Sequence, residues 1–104
     1  MGKGKIAAQC CHAATACVGI AQEEAPQAME RWERSNAHAK VALKCETEED
    51  LLTIAQKAES AGVVHYVVCD AGRTQIAAGS RTVCGLGPAK ASVLDGITGG
   101  LKLL

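Results

Sequence analysis

Asp70 is the residue that chemistry singles out first. It ends an apolar, β-branched run (Val63, Val64, Val67, Val68) and opens the polar, glycine-bearing stretch DAGRTQIAAGS at 70–80. A carboxylate at the end of a buried strand, followed by such a loop, is where open α/β sheets usually keep their reactive groups. A second strand-like run, Arg81 to Leu86, follows and closes on Gly87-Pro88. Near the start of the chain, Lys5, Gln9 and His12 share one helical stripe with Ala16. That stripe begins with a cation and carries two hydrogen-bonding side chains above it. The plain reading of it is a solvated helix face.

The elements that must position these residues follow from periodicity. Ile6, Cys10, Ala13, Ala14, Cys17 and Val18 make an apolar stripe at helical spacing, which predicts a helix from Gly4 to about Ile20. Gln22 to Glu24 reads as a polar break, and Pro26 suits the first turn of a second helix buried through Ala25, Ala28, Met29 and Trp32. Ser35 to Ala39 is a loop, and its His38 reads as solvated. Residues 40–45 alternate (Val41, Leu43 and Cys45 against Lys40, Ala42 and Lys44), as a strand with one drier face does. Thr47 with Asp50 resembles a capping box, with Glu48, Glu49 and Asp50 at the positive helix end and Gly62 as terminator. Strand 40–45, helix 48–61 and strand 63–69 therefore predict a βαβ unit with parallel strands. The run 81–86 returns after a connection too short for a helical crossover, so it is expected antiparallel. Pro88 is expected to open a last helix with Val93, Leu94 and Ile97 inward and Gly99-Gly100 at its end.

Composition narrows the function. The chain has 104 residues, a formal net charge of zero, one Trp, one Tyr and no Phe. A single domain is expected. No global positive field exists, so nucleic acid must be met by a local patch, and base-stacking platforms of the single-strand-binding kind are disfavoured. Six cysteines occur without a Cys-x-x-Cys pair, which reads as reduced, cytoplasmic thiols serving as small core residues. Cys10, Cys11, His12 and Cys17 do not make a metal site, because helix neighbours point about 100° apart. No run approaches a membrane span, and Ile6 stands where a myristoylation signal wants Ser or Thr. Gly85-x-Gly87 and Gly2-Lys3-Gly4-Lys5 are weak nucleotide signals, since Lys90 replaces the third glycine of one and the full spacing of the other is absent.

Three longer stretches carry more. GKGKIAAQCCHAA at 2–14, DAGRTQIAAGSRTVCGLGPA at 70–89 and ITGGLKLL at 97–104 closely resemble the type 2 peptidyl-tRNA hydrolase family, and the resemblance covers essentially the whole chain. It implies a three-layer α/β/α sandwich around a small mixed sheet. It implies an esterase that cleaves peptide from the terminal ribose of peptidyl-tRNA, recycling tRNA, with no metal or organic cofactor. The family's functional residues carry over to Lys5, Asp70, Thr74 and Thr82, with His12 and Gln9 matching on the first helix. Contacts to tRNA would come from Lys3, Gln9, Arg73, Gln75, Arg81, Lys90 and Lys102. The partner implied is peptidyl-tRNA, not a membrane, and a homodimer stays open.

The residues fit that chemistry on their own terms. Ester hydrolysis needs a water made nucleophilic and a place for the oxyanion. Aspartate, with an ordinary pKa of about 3.9, is ionised at neutral pH and can orient a water. Lys5 at a helix start can balance an oxyanion or a phosphate. Thr74 and Thr82 supply hydroxyls. The competing reading is that Asp70 and Lys5 are an ion pair tying helix to sheet.

Family members normally carry a hydrophobic strand ahead of the GKGK helix, and this sequence starts at Met1 inside the motif. The expectation is a single domain over 1–104 lacking that inner strand. Either open edges should then appear beside Val41 or Val67, or another segment should take the slot. A non-catalytic interaction module or an inactive fragment of the family is the alternative reading, and a nucleotide-binding fragment a remoter one.

Overall fold

A computed structural model describes residues 1–69 and 79–104 as an α/β fold, ordered α1 (Lys3–Glu24), α2 (Pro26–Arg34), α3 (Glu48–Ser60), β1 (His65–Cys69), β2 (Arg81–Leu86) and α4 (Ala91–Thr98). Helix α1 outruns its expected end near Ile20. Gln22, Glu23 and Glu24 are polar but good helix formers, so they continue it. What stops it is Pro26, which restricts the backbone of Ala25 (φ −143°) and takes the first position of α2, as expected. Helix α2 leans on α1 through buried Met29. The loop after it is closed by the Trp32 indole, whose Nε1 donates to the Ala39 carbonyl at 2.7 Å. The Lys40 ammonium sits 5.0 Å over the same ring.

Helix α3 starts as the sequence predicts. The Thr47 hydroxyl accepts from Asp50 N at 3.0 Å, and three acids occupy the first turn. Its buried side is Leu51, Ala55 and Ala58, and Gly62, at φ +71°, supplies the left-handed residue that ends it. Strands β1 and β2 pair antiparallel, as expected, in the register Tyr66↔Gly85, Val67↔Cys84 and Val68↔Val83. The next pair is Cys69↔Arg81, so Thr82 is an extra residue in β2, a bulge.

Both α1 and α3 pack on this strand pair, from opposite faces, which gives the helix–sheet–helix layering. The α1 face carries Tyr66, Val68, Val83 and Gly85. Where α1 meets the sheet the core is made of small side chains: Ala13, Cys17 and Ala21 are at most 5% exposed, over a buried Val68, while Met29 of α2 and Leu51 of α3 are the larger buried residues. Burial pushes the Cys17 thiol up from its ordinary pKa, and burial, then the neighbouring Cys17 and Cys45, push Cys84 up to about 11.

Three further expectations are corrected. Residues 40–45 do not form the predicted parallel partner of 63–69. Among the described residues Leu43 bridges to Leu103 in antiparallel sense, with Lys44 N donating to the Lys102 carbonyl (2.8 Å) and Leu104 N to that of Ala42 (3.0 Å). Alternation reports a strand's drier face but not its partner, and here the chain end is the partner. Val41 is 71% exposed. Helix α4 begins not at Pro88 but three residues later, at Ala91, because Gly87 (φ +98°) first turns the chain away from β2. Val93, expected inward, is exposed, while Leu94 and Ile97 are half-buried.

Gly85 fixes how close α1 comes. A Cβ at that position would lie 2.9 Å from Cys17 Sγ, 3.1 Å from the Ala13 carbonyl oxygen and 3.2 Å from Ala13 Cβ. Gly85→Ala should therefore push α1 off the sheet and cost about 1–3 kcal/mol. Urea denaturation of the two proteins checks this, and an unchanged midpoint would refute the close-approach role.

Candidate active site

The first turn of α1 carries charge of the sign that helix starts usually avoid. Its N-cap is Gly2, with no side-chain cap and no acid in the first turn, while Lys3 and Lys5 stand there instead. Two cations beside the positive end of a helix dipole cost stability, and they suit an anion. Helix α3, with its Thr47 cap and three acids, is the opposite case in the same chain.

From this start, Lys5, Gln9 and His12 project from one side of α1 at i, i+4 and i+7. Lys5 and Gln9 are half-buried and His12 is exposed. Gln9 is held from the sheet: the Thr82 hydroxyl donates to its Oε1 at 2.9 Å and lies 3.5 Å from the Val68 carbonyl oxygen. With Oε1 engaged, the amide N–H groups of Gln9 are turned away from Thr82. The bulge makes this contact. In an unbroken ladder Thr82 would face α3, since successive side chains alternate. The extra residue lets it join Val83 on the α1 face instead.

The same offset sends Arg81 the other way. Its backbone N–H donates to Glu48 Oε1 at 3.0 Å, and its guanidinium Nη1 lies 3.6 Å from that oxygen. The start of β2 is thus clamped to the start of α3. Both side chains are about half exposed, so the ion pair itself adds little stability. Beside Gln9, the His12 ring lies 6.0 Å from Tyr66, centroid to centroid, with an interplanar angle of 18°. Tyr66 reaches it from β1.

The structure thus brings together Gln9, Thr82 and, next along the helix, His12, with Lys5 one turn before. Asp70, Arg73, Thr74 and Gln75 lie outside the described residues. Of the expected tRNA contacts, Lys3 is exposed on the first turn of α1. Arg81 faces α3, Lys90 precedes α4, which packs on α3, and Lys102 sits in the chain end paired with residues 42–44. Those three cations stand on other elements than α1. Two participants escaped the sequence reading. Tyr66 was legible only as a strand residue, although it shares the period-two face of Val68. Glu48 reads as a helix-dipole residue, and its hold on Arg81 is non-local.

Cys17 and Cys84 lie beneath this arrangement with raised pKa values, so both stay protonated thiols at neutral pH and are not poised as nucleophiles. Among the described residues, no three His, Cys, Asp or Glu side chains are grouped to hold a metal ion, and no helix is long and apolar enough to cross a membrane.

Comparison with known proteins adds a lineage. The family model for peptidyl-tRNA hydrolase PTH2 matches residues 1–104. The probable peptidyl-tRNA hydrolase 2 of Schizosaccharomyces pombe is 50% identical over 103 residues, which is 99% of this chain and 50% of that protein. The mitochondrial peptidyl-tRNA hydrolase 2 of Homo sapiens is 45% identical over 103 residues, 99% of this chain and 57% of that protein. The peptidyl-tRNA hydrolase of Thermoplasma volcanium is 40% identical over 104 residues, 100% of this chain and 88% of that protein. The chain thus spans little more than half the length of the two eukaryotic relatives.

The Gln9–Thr82 hydrogen bond should be measurable as a coupling. Thr82→Val and Gln9→Met keep side-chain size, and a double-mutant cycle in stability should show about 0.5–1.5 kcal/mol of non-additivity. Strictly additive losses would mean that Thr82 does not hold Gln9.

Proposed function

Since this chain belongs to the peptidyl-tRNA hydrolase PTH2 family, we propose that it hydrolyses the ester between a peptide and the terminal ribose of tRNA. The observation that carries the reading is the Gln9–Thr82 hydrogen bond. It joins the cation-rich start of α1 to the strand pair whose first member runs directly into Asp70. The reaction adds water across the acyl carbon. The ester C–O bond breaks, the peptide leaves as a carboxylate, and the ribose oxygen takes a proton.

In this reading Asp70 orients the water and accepts its proton, and Lys5 balances the oxyanion or the terminal phosphate. Thr74 and Thr82 orient the reacting groups, Thr82 through Gln9. His12 completes the α1 side. Lys3, Gln9, Arg73, Gln75, Arg81, Lys90 and Lys102 meet the phosphates and ribose of the tRNA, which positions it without reading sequence. Six free cysteines suit a reducing compartment, and we place the chain in the cytoplasm. The human relative carries "mitochondrial" in its name.

The test is cleavage of a defined peptidyl-tRNA by the intact protein. Asp70→Asn keeps shape and removes the charge; Lys5→Ala removes the cation. Each should lower kcat/KM by about 10²–10³, the usual cost of one such electrostatic group, with little change in melting temperature. An Asp70→Asn enzyme within a few-fold of wild type would refute the catalytic assignment.

Binding of tRNA should weaken steeply as salt rises, although the chain is formally neutral. Each phosphate met by Lys or Arg releases condensed counterions, whatever the rest of the surface carries. A titration series across salt concentrations reads the slope. A flat response would remove Lys3, Arg73, Arg81, Lys90 and Lys102 from the phosphate-binding role.

A further inference from the structure

We infer that Tyr66 is a positioning residue for His12 in the proposed hydrolysis, an inference that rests on the placement of His12 in that site. His12 is exposed on α1, and an exposed imidazole on a helix samples several staggered rotamers. Tyr66 removes that freedom. Its ring lies nearly parallel to the imidazole, at 6.0 Å and 18°, within the range in which aromatic pairs attract. The tyrosine's backbone is held in the ladder opposite Gly85.

Gly85 serves the same contact a second time. Without a Cβ it lets Ala13 and Cys17 settle onto the sheet, and His12 is the neighbour of Ala13. The helix therefore comes down where Tyr66 can reach the imidazole. Tyr66 is 38% exposed, so much of its ring is spent on this edge of the site and not on the core. The ring stands one helical step from Gln9, which Thr82 holds. Sheet-borne side chains thus fix two successive members of the α1 face, Thr82 by a hydrogen bond and Tyr66 by its ring.

The test measures kcat and KM for peptidyl-tRNA cleavage by the intact protein carrying Tyr66→Phe, Tyr66→Leu, His12→Ala and the His12→Ala/Tyr66→Leu pair. Leucine keeps an apolar strand residue and removes the ring plane; phenylalanine keeps the plane. The expected pattern is Tyr66→Phe within twofold of wild type, and Tyr66→Leu lower in kcat by roughly tenfold at unchanged KM, as misplacement of a site group produces. In the His12→Ala background, Tyr66→Leu should have no further effect. Multiplicative losses in the pair, or a silent Tyr66→Leu beside an impaired His12→Ala, would overturn the role of Tyr66 alone. A silent His12→Ala beside an inactive Asp70→Asn would overturn the placement of His12, and with it this inference. Absence of cleavage by the wild-type protein would overturn the hydrolase reading itself.

Discussion

The approach of α1 to the strand pair at Gly85 sets the position of every site residue that helix carries. Ala13, Cys17 and Ala21 present little bulk, and Gly85 presents none, so helix and sheet meet at backbone distance. Gln9 and His12 flank this contact, one toward Thr82 and the other toward Tyr66. At this contact of alanines, a cysteine and a glycine, closeness of fit replaces bulk as the source of cohesion. A helix held off by even one methyl group would carry its polar face away from both partners.

The same chain treats its helix starts in opposite ways, and the difference separates scaffold from site. The start of α3 is capped, acidic and tied through Glu48 to the first residue of β2. The start of α1 has no side-chain cap and is cationic. The cationic start lies at one end of the molecule's longest helix, where the proposed substrate is anionic, and the acidic, capped start belongs to the helix that holds β2. Sites commonly break the local rules that the rest of a fold obeys.

Local signals were legible in the sequence, and partners were not. The Thr47 cap, the proline between α1 and α2, the glycine after α3 and the antiparallel return of β2 all depend on a few neighbouring residues. The stripe of Lys5, Gln9 and His12 was legible for the same reason. The partner of residues 40–45 was not, because Val41, Leu43 and Cys45 alternate identically whichever strand lies beside them. The bulge at Thr82 leaves no mark in composition, so the hold of Thr82 on Gln9 and the turn of Arg81 toward Glu48 emerge only from the three-dimensional register. Tyr66 is a similar case, since an aromatic residue in a strand is ordinary until a helix lays a histidine across it.

The extra residue in β2 also gives that strand a parity. The ladder from Val83 to Leu86 is set by its pairing with β1. Loss of Thr82 would make the ladder regular. The hydroxyl beside Gln9 would be lost, while Arg81 would stay opposite Cys69 on the α3 face and keep Glu48. A single deletion at Thr82 would therefore take a contact from the site and leave the clamp on the scaffold in place.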